Sequence, residues 1–323
     1  MITRIRWFAT ASILLPVLFA ATTIQGPELG FVFDSAKGAL RPILGIPGAA
    51  VLGQPLTMGV EVRKVAISPL GDYALAVAGE HNQAMVFSTG HSPLAGVLVQ
   101  GADRGADQIA VSAAGKAAVL YYKAASRIEI VTGLPASPKV SSELYLSAGD
   151  TLTAIAIGDD GHTVLAGAGN KVFEVAAGGE VPVLSDLGHV AAITIPASGT
   201  AFVADSGNNQ IYRVQGLGAG IDAAVIAGPK EGISTPTAVA VSQDGSRAYV
   251  ANAKPGSVSI INLKTEGTST IACGCTPSGL NRLAGSETFR LTEMSNRPLW
   301  LLDTSGTAPR VLFVPAEFES AQK

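Results

Sequence analysis

The sequence predicts an all-β protein, and two observations carry the prediction. The apolar residues fall in short Ala/Val/Ile segments of strand length, punctuated by 37 glycines. One unit also recurs: VAISPLGDYALAVAG from Val65, IAVSAAGKAAVLYY from Ile109, IAIGDDGHTVLAGAG from Ile155, ITIPASGTAFVADSG from Ile193 and VAVSQDGSRAYVANA from Val239, with a degenerate sixth copy, LNRLAGSETFRLTEM, from Leu280. Its turn glycines, Gly71, Gly115, Gly161, Gly199, Gly245 and Gly285, stand 44, 46, 38, 46 and 40 residues apart. That is the length of a four-stranded blade. A single such sheet cannot bury both its faces, whereas sheets set radially cover one another, so the chain reads as one β-propeller.

Taken in order, residues 1–22 come first: a basic start (Arg4, Arg6), an apolar run from Trp7 to Ala21 containing Pro16, and then small residues. This is the pattern of a secretory signal peptide. The run falls short of the roughly 20 residues that cross a bilayer comfortably. Cleavage between Ala20 and Thr23 is expected, which leaves 23–323 as one propeller domain, periplasmic or secreted, with no membrane span. The stretch LGFVFDSAKGALRPILGIPGAA follows and resembles only the second hairpin of a blade. Six full blades plus a partial N-terminal blade, most simply in a seven-position ring, are therefore expected, with a six-bladed ring and an accessory hairpin as the alternative. Within each full unit the glycine turn joins two strands, a polar loop leads to a third such as VSIINL or QIYRV, and a fourth such as DAAVIAG or STSTIAC closes the sheet. Net charge is −3, and losing Arg4 and Arg6 makes the chain more acidic still. No nucleic-acid partner is expected, since such binders present basic patches.

VADSGNNQIYRV (Val203 to Val214) resembles an NHL repeat, and PTAVAVSQDGSRAYVANAKPGSVSIINL (Pro236 to Leu263) resembles a YVTN-type propeller repeat. The resemblance runs from about Glu61 to Pro315. It implies the propeller fold and leaves function open, because propellers of this group include lactonases, lyases, surface-layer proteins and pure binding modules. It also implies that ligands meet the face formed by the loops entering the innermost strands and the loops joining second to third strands.

Aligned on the turn glycine, the channel-mouth position on that face is occupied by Arg63, Asp107, Thr153, Ala191, Thr237 and Ser278, and the position two residues earlier by Glu61, Gly105, Thr151, His189, Thr235 and Thr276. Glu61, Arg63, Asp107 and His189 carry the groups suited to acid–base work or ion binding, and they are the candidate ligand-binding residues. In the functional reading Arg63 and Asp107 form a polar pair with His189 nearby. In the bland reading they are a solvated ion pair and a surface histidine. Arg282 joins the candidates because GLNRLAG places it on an inner strand, either lining the channel or paired with a carboxylate. Glu80, His81, Asn170, Asp205, Asn208 and Asn252 lie in loops after second strands, where short polar side chains act chiefly as turn formers.

No catalytic constellation emerges. There are four histidines in all, and His91 and His162 fall in turns of the opposite face, so a three-histidine metal centre has too few ligands. No G-x-S-x-G elbow is present, and the GAGN stretch lies between strands rather than opening a helix. No catalytic residue and no cofactor are assigned, apart from a divalent cation considered near Glu61 and Asp107. The expected function is an exported binding or interaction module whose polar channel mouth meets a protein or cell-surface component. The alternative is a metal-dependent, lactonase-like hydrolase or lyase using the same mouth.

The two cysteines, Cys273 and Cys275, flank Gly274 in the connection from the last strand of one blade to the inner strand of the next. In an oxidising compartment so close a pair is expected to form a disulfide, and Gly274 supplies the backbone freedom that a tight ring needs. Reduced or redox-active thiols are the alternative. Chain entropy gives such a short loop only about 1.5 kcal/mol, so its role would be local.

Overall fold

A computed structural model describes residues 26–90, 93–147 and 151–316; the signal-peptide reading of 1–22 and His91 lie outside the described residues. Seven separate four-stranded antiparallel sheets, spanning 28–57, 62–98, 108–145, 152–184, 190–227, 236–272 and 281–314, form blades 1 to 7 of a seven-bladed β-propeller. In blades 2 to 7 the strands pair in chain order, so each blade is a plain meander. The six turn glycines between first and second strands all have φ between +66° and +75°, the left-handed conformation that favours glycine there.

Burial follows strand rank. Second strands are wholly inside, as in Tyr73–Ala78, Ala118–Tyr122 and Val164–Ala168, whereas the inner strand Val62–Ile67 is half-exposed and the outer strand Gly96–Leu98 is exposed. The second strand has neighbours on both edges and a blade against each face. Seven apolar clusters fill the seven gaps between neighbouring sheets; for example, Leu75, Val77, Leu120 and Val131 pack between blades 2 and 3. Each fully buried Leu or Val contributes about 1.5–3 kcal/mol. The ring is closed the same way, by Leu29, Val32, Ile43 and Ala50 of blade 1 against Leu283, Leu299, Leu301 and Val314 of blade 7. Among the described residues no sheet mixes strands from the two ends of the chain.

Blade 1 is larger than the hairpin expected from sequence. Glu28–Asp34 pairs with Ala39–Ile46, and both Ala49–Leu52 and Leu56–Thr57 pair with the far edge of Ala39–Ile46 as one interrupted outer strand. Gly53 and Pro55 fall in the interruption, where a proline lacking its N–H does no harm. The fully buried Arg41 pins the break by donating from Nε (2.9 Å) and Nη2 (2.6 Å) to the Gly53 carbonyl.

The strand Glu28–Asp34 is buried like a second strand, not like an inner one. Beside it, on the turn-glycine face, blade 7 reaches past to blade 2: the Gly285 N–H donates to the Pro69 carbonyl at 2.8 Å. A Cβ on Gly71 would lie 3.3 Å from the Ala284 Cα, so this close approach leaves little room for a side chain. Among the described residues seven sheets form the ring, as the seven-position reading expected, and the alternative of a six-bladed ring with an accessory hairpin does not hold.

Candidate functional site

A channel of about 770 Å³ runs through the centre, walled by the inner strands of blades 2 to 7. Val62–Ile67, Leu152–Ile157, Val190–Ala197 and Pro236–Val241 each shift register one residue inside their start. The residues at the shifts are Arg63, Thr153, Ala191 and Thr237. In these four blades the aligned mouth position is therefore a break in register of the β-bulge kind, which re-aims a side chain out of the ladder. At blades 7 and 1 the channel extends outward, because the inner strand of blade 7 is only Asn281–Arg282. Phe289 and Arg290 of its second strand, and Phe31 and Phe33 of blade 1, line the cavity there.

Of the candidate residues, Arg63 and Arg282 line the channel. Arg63 Nε lies 3.9 Å from Glu61 Oε1, with both side chains mostly in solvent at 58% and 74% exposure. Asp107 is engaged elsewhere: its Oδ2 accepts the Lys123 N–H (2.8 Å), and its own N–H donates to the Tyr121 carbonyl (2.7 Å). His189 is exposed on blade 5, with its backbone N–H donated to Asp205 Oδ1 (2.8 Å). Arg282 is a strut between blades. It donates to the Val241 carbonyl (2.5 Å), the Ser286 carbonyl (2.8 Å) and Glu287 Oε1 (2.9 Å), and its guanidinium lies 4.6 Å from the centre of the Phe289 ring. Both of its sequence readings hold: it is paired with a carboxylate and it lines the channel.

Two buried carboxylates set the loop geometry of this face. Asp205, with no exposure, accepts backbone N–H groups from Gly188, His189, Gly207 and Asn208 and the Asn208 side-chain amide, all between 2.8 and 3.1 Å. Burial alone would raise its pKa, but these donors hold it below the usual carboxylate value. Glu129, also unexposed, accepts from the Tyr122 hydroxyl (2.8 Å) and the Asp103 N–H (3.2 Å) and faces Arg127 Nη2 at 3.1 Å. Its pKa is raised by burial despite those partners. Arg127 also pairs with Asp103, which ties down the loop leading to Asp107. Sequence reasoning set Asp205 among the turn formers, and the structure gives it that role; Glu129 was not singled out, and its inward-facing charge in RIEIVT was the available signal.

The structure pairs Cys273 with Cys275 across Gly274, with Cα atoms 5.0 Å apart. The loop lies between blades 6 and 7: the Cys273 N–H donates to the Gly256 carbonyl (2.8 Å), and Thr237 Oγ1 donates to the Pro277 carbonyl (3.2 Å). A Cβ on Gly274 would stand 2.8 Å from the Trp300 ring.

Among the described residues no three His, Cys, Asp or Glu side chains gather closely enough to hold a metal ion, and no helix is long and apolar enough to cross a membrane. The fold places the chain in a class, the seven-bladed β-propellers. Comparison with known proteins goes no finer: no family model matches, so NHL and YVTN remain resemblances of the repeat, and no curated protein matches. Solved structures share the architecture at low identity. A functionally unknown protein from Desulfotomaculum acetoxidans DSM 771 is 16% identical with TM-score 0.60, covering 89% of this chain and 100% of its own. A putative 6-phosphogluconolactonase from Bacteroides uniformis ATCC 8492 is 12% identical with TM-score 0.61, covering 90% and 96%. Virginiamycin B lyase from Staphylococcus aureus is 15% identical with TM-score 0.55, covering 80% and 85%. At these identities the likeness concerns fold alone.

Proposed function

We propose that the protein is an exported binding module, which presents the loop face around its channel mouth to a protein or cell-surface component. The observation that carries this reading is the dispersal of its candidate groups: Glu61 and Arg63 pair loosely in solvent, Asp107 holds backbone, and His189 sits on a different blade. Acid–base catalysis needs such groups within hydrogen-bond reach of one substrate atom. A rigid ring with varied exposed loops suits recognition instead. The second reading is a hydrolase or lyase with a divalent cation near Glu61 and Asp107, whose Oδ2 accepts the Lys123 N–H.

The test is binding of fluorescently labelled purified protein to envelope fractions of the producing cells. Saturable binding that the loop-face double variant E61K/H189E abolishes, and that a reversal on the opposite face, K116E, leaves intact, is the expected result. Equal binding by both variants would overturn the reading. A thermal upshift with Ca²⁺, Mg²⁺, Mn²⁺ or Zn²⁺, together with bound metal by elemental analysis, would favour the enzyme instead, since a ligand specific to the folded state raises apparent stability.

A further inference from the structure

We infer that the outward extension of the channel between blades 7, 1 and 2 is a binding site for a small organic anion with an apolar body. This goes beyond the macromolecular binding proposed above and rests on the channel wall rather than the loops, with Arg63 the one residue common to both.

Three features converge there. The first is shape: only at blades 7 and 1 does the channel reach past the innermost strands, where it meets the rings of Phe31 and Phe33. On the turn-glycine face the extension is bounded by the Gly285 to Pro69 hydrogen bond. The second is charge. In a chain of net charge −3, the ionisable residues that line the channel are Arg63, Lys64, Arg282 and Arg290 against Glu293 alone. Arg282 is saturated by Val241, Ser286 and Glu287, and Arg290 is paired with Glu293. The third is availability. Lys64 has no ion pair among the described residues, and the Arg63 pairing with Glu61 is long and solvent-exposed.

The bulge at Arg63 explains why two consecutive residues both serve the mouth. Phe33, only partly buried, offers aromatic surface to an apolar body above the buried Phe31, and Arg63 and Lys64 offer donors to a carboxylate, sulfonate or phosphate. A purely apolar ligand would leave the cations unused, and a fully polar one would leave the exposed part of Phe33 in water.

The probe is 8-anilinonaphthalene-1-sulfonate, an aromatic anion that fluoresces on leaving water, titrated into the folded protein. Saturable one-to-one binding that weakens with added salt is expected. The double reversal R63E/K64E, at exposed positions, weakens it by about tenfold or more, with unchanged far-ultraviolet circular dichroism. F33A, whose ring faces the channel, weakens it as well, and R104E, outside the channel, does not. N-phenyl-1-naphthylamine, which lacks the sulfonate, binds at least about fivefold more weakly. Absence of saturable binding, equal affinity in R63E/K64E, or equal affinity for the uncharged probe would each overturn the site.

Discussion

At the scale of single residues, the structure separates groups that hold the fold from groups that face solvent. Asp205 belongs to the first kind. Replacing it with alanine leaves its buried N–H donors unsatisfied, which costs about 1–3 kcal/mol or more, readable as a lower urea midpoint at unchanged slope. Its depressed pKa makes that contribution pH-dependent. The contribution is fully present above the ordinary carboxylate value of about 3.9 and is lost as pH falls through the lower folded value. Wild type therefore loses stability more steeply below about pH 4 than D205N does, and a D205N acid limb as steep as wild type would sink this assignment. Gly274 offers a second test. Its Cβ position collides with Trp300, so Gly274→Ala shifts the emission of the only tryptophan after Trp7 and costs about 1–3 kcal/mol. Thiol titration of the denatured, unreduced protein is expected to find no free thiol at Cys273 and Cys275; two would rule out the disulfide. From sequence the repeat aligns Glu61, Arg63, Asp107 and His189 as expected mouth positions, and of these Arg63 lines the channel. Their partners were not legible, because a loop carboxylate such as Asp107 chooses between a cation and a backbone N–H by local geometry that spacing does not encode.

At the scale of the blade, the repeat was almost fully legible. Glycines at fixed offsets predicted the six turns, and their positive φ angles bear this out. Blade 1 was legible only in part, since a short outer strand broken by Gly53 and Pro55 carries too little apolar pattern to be recognised. The recess that blade 1 helps form was not legible at all: it depends on which strand rank Glu28–Asp34 occupies, and rank is fixed by neighbours rather than by the strand's own residues. The closing interface gives a prediction at this level. Leu301, 1% exposed, is shared by the cluster between blades 7 and 1. Leu301→Ala costs about 2–5 kcal/mol and speeds amide hydrogen exchange in both 28–57 and 281–314 while sparing blade 4, because local opening follows the weakened unit. Uniform acceleration around the ring would contradict Leu301 acting locally at the closing interface.

At the scale of the molecule, the fold is certain in kind and silent on partner. Structures with the same architecture and 12–16% identity include a putative lactonase, a lyase and a protein of unknown function, so the architecture alone does not choose among activities. One architectural fact bears on how the chain comes into being. Every described sheet is drawn from one continuous stretch, so during synthesis from the N-terminus each blade is complete as soon as its own residues have emerged, and folding proceeds blade by blade. The face of blade 1 carrying Leu29, Val32, Ile43 and Ala50 is finished first, yet its partner surface on blade 7 is made last. Until blade 7 has been made, the nascent chain carries that apolar face of blade 1 without its cover.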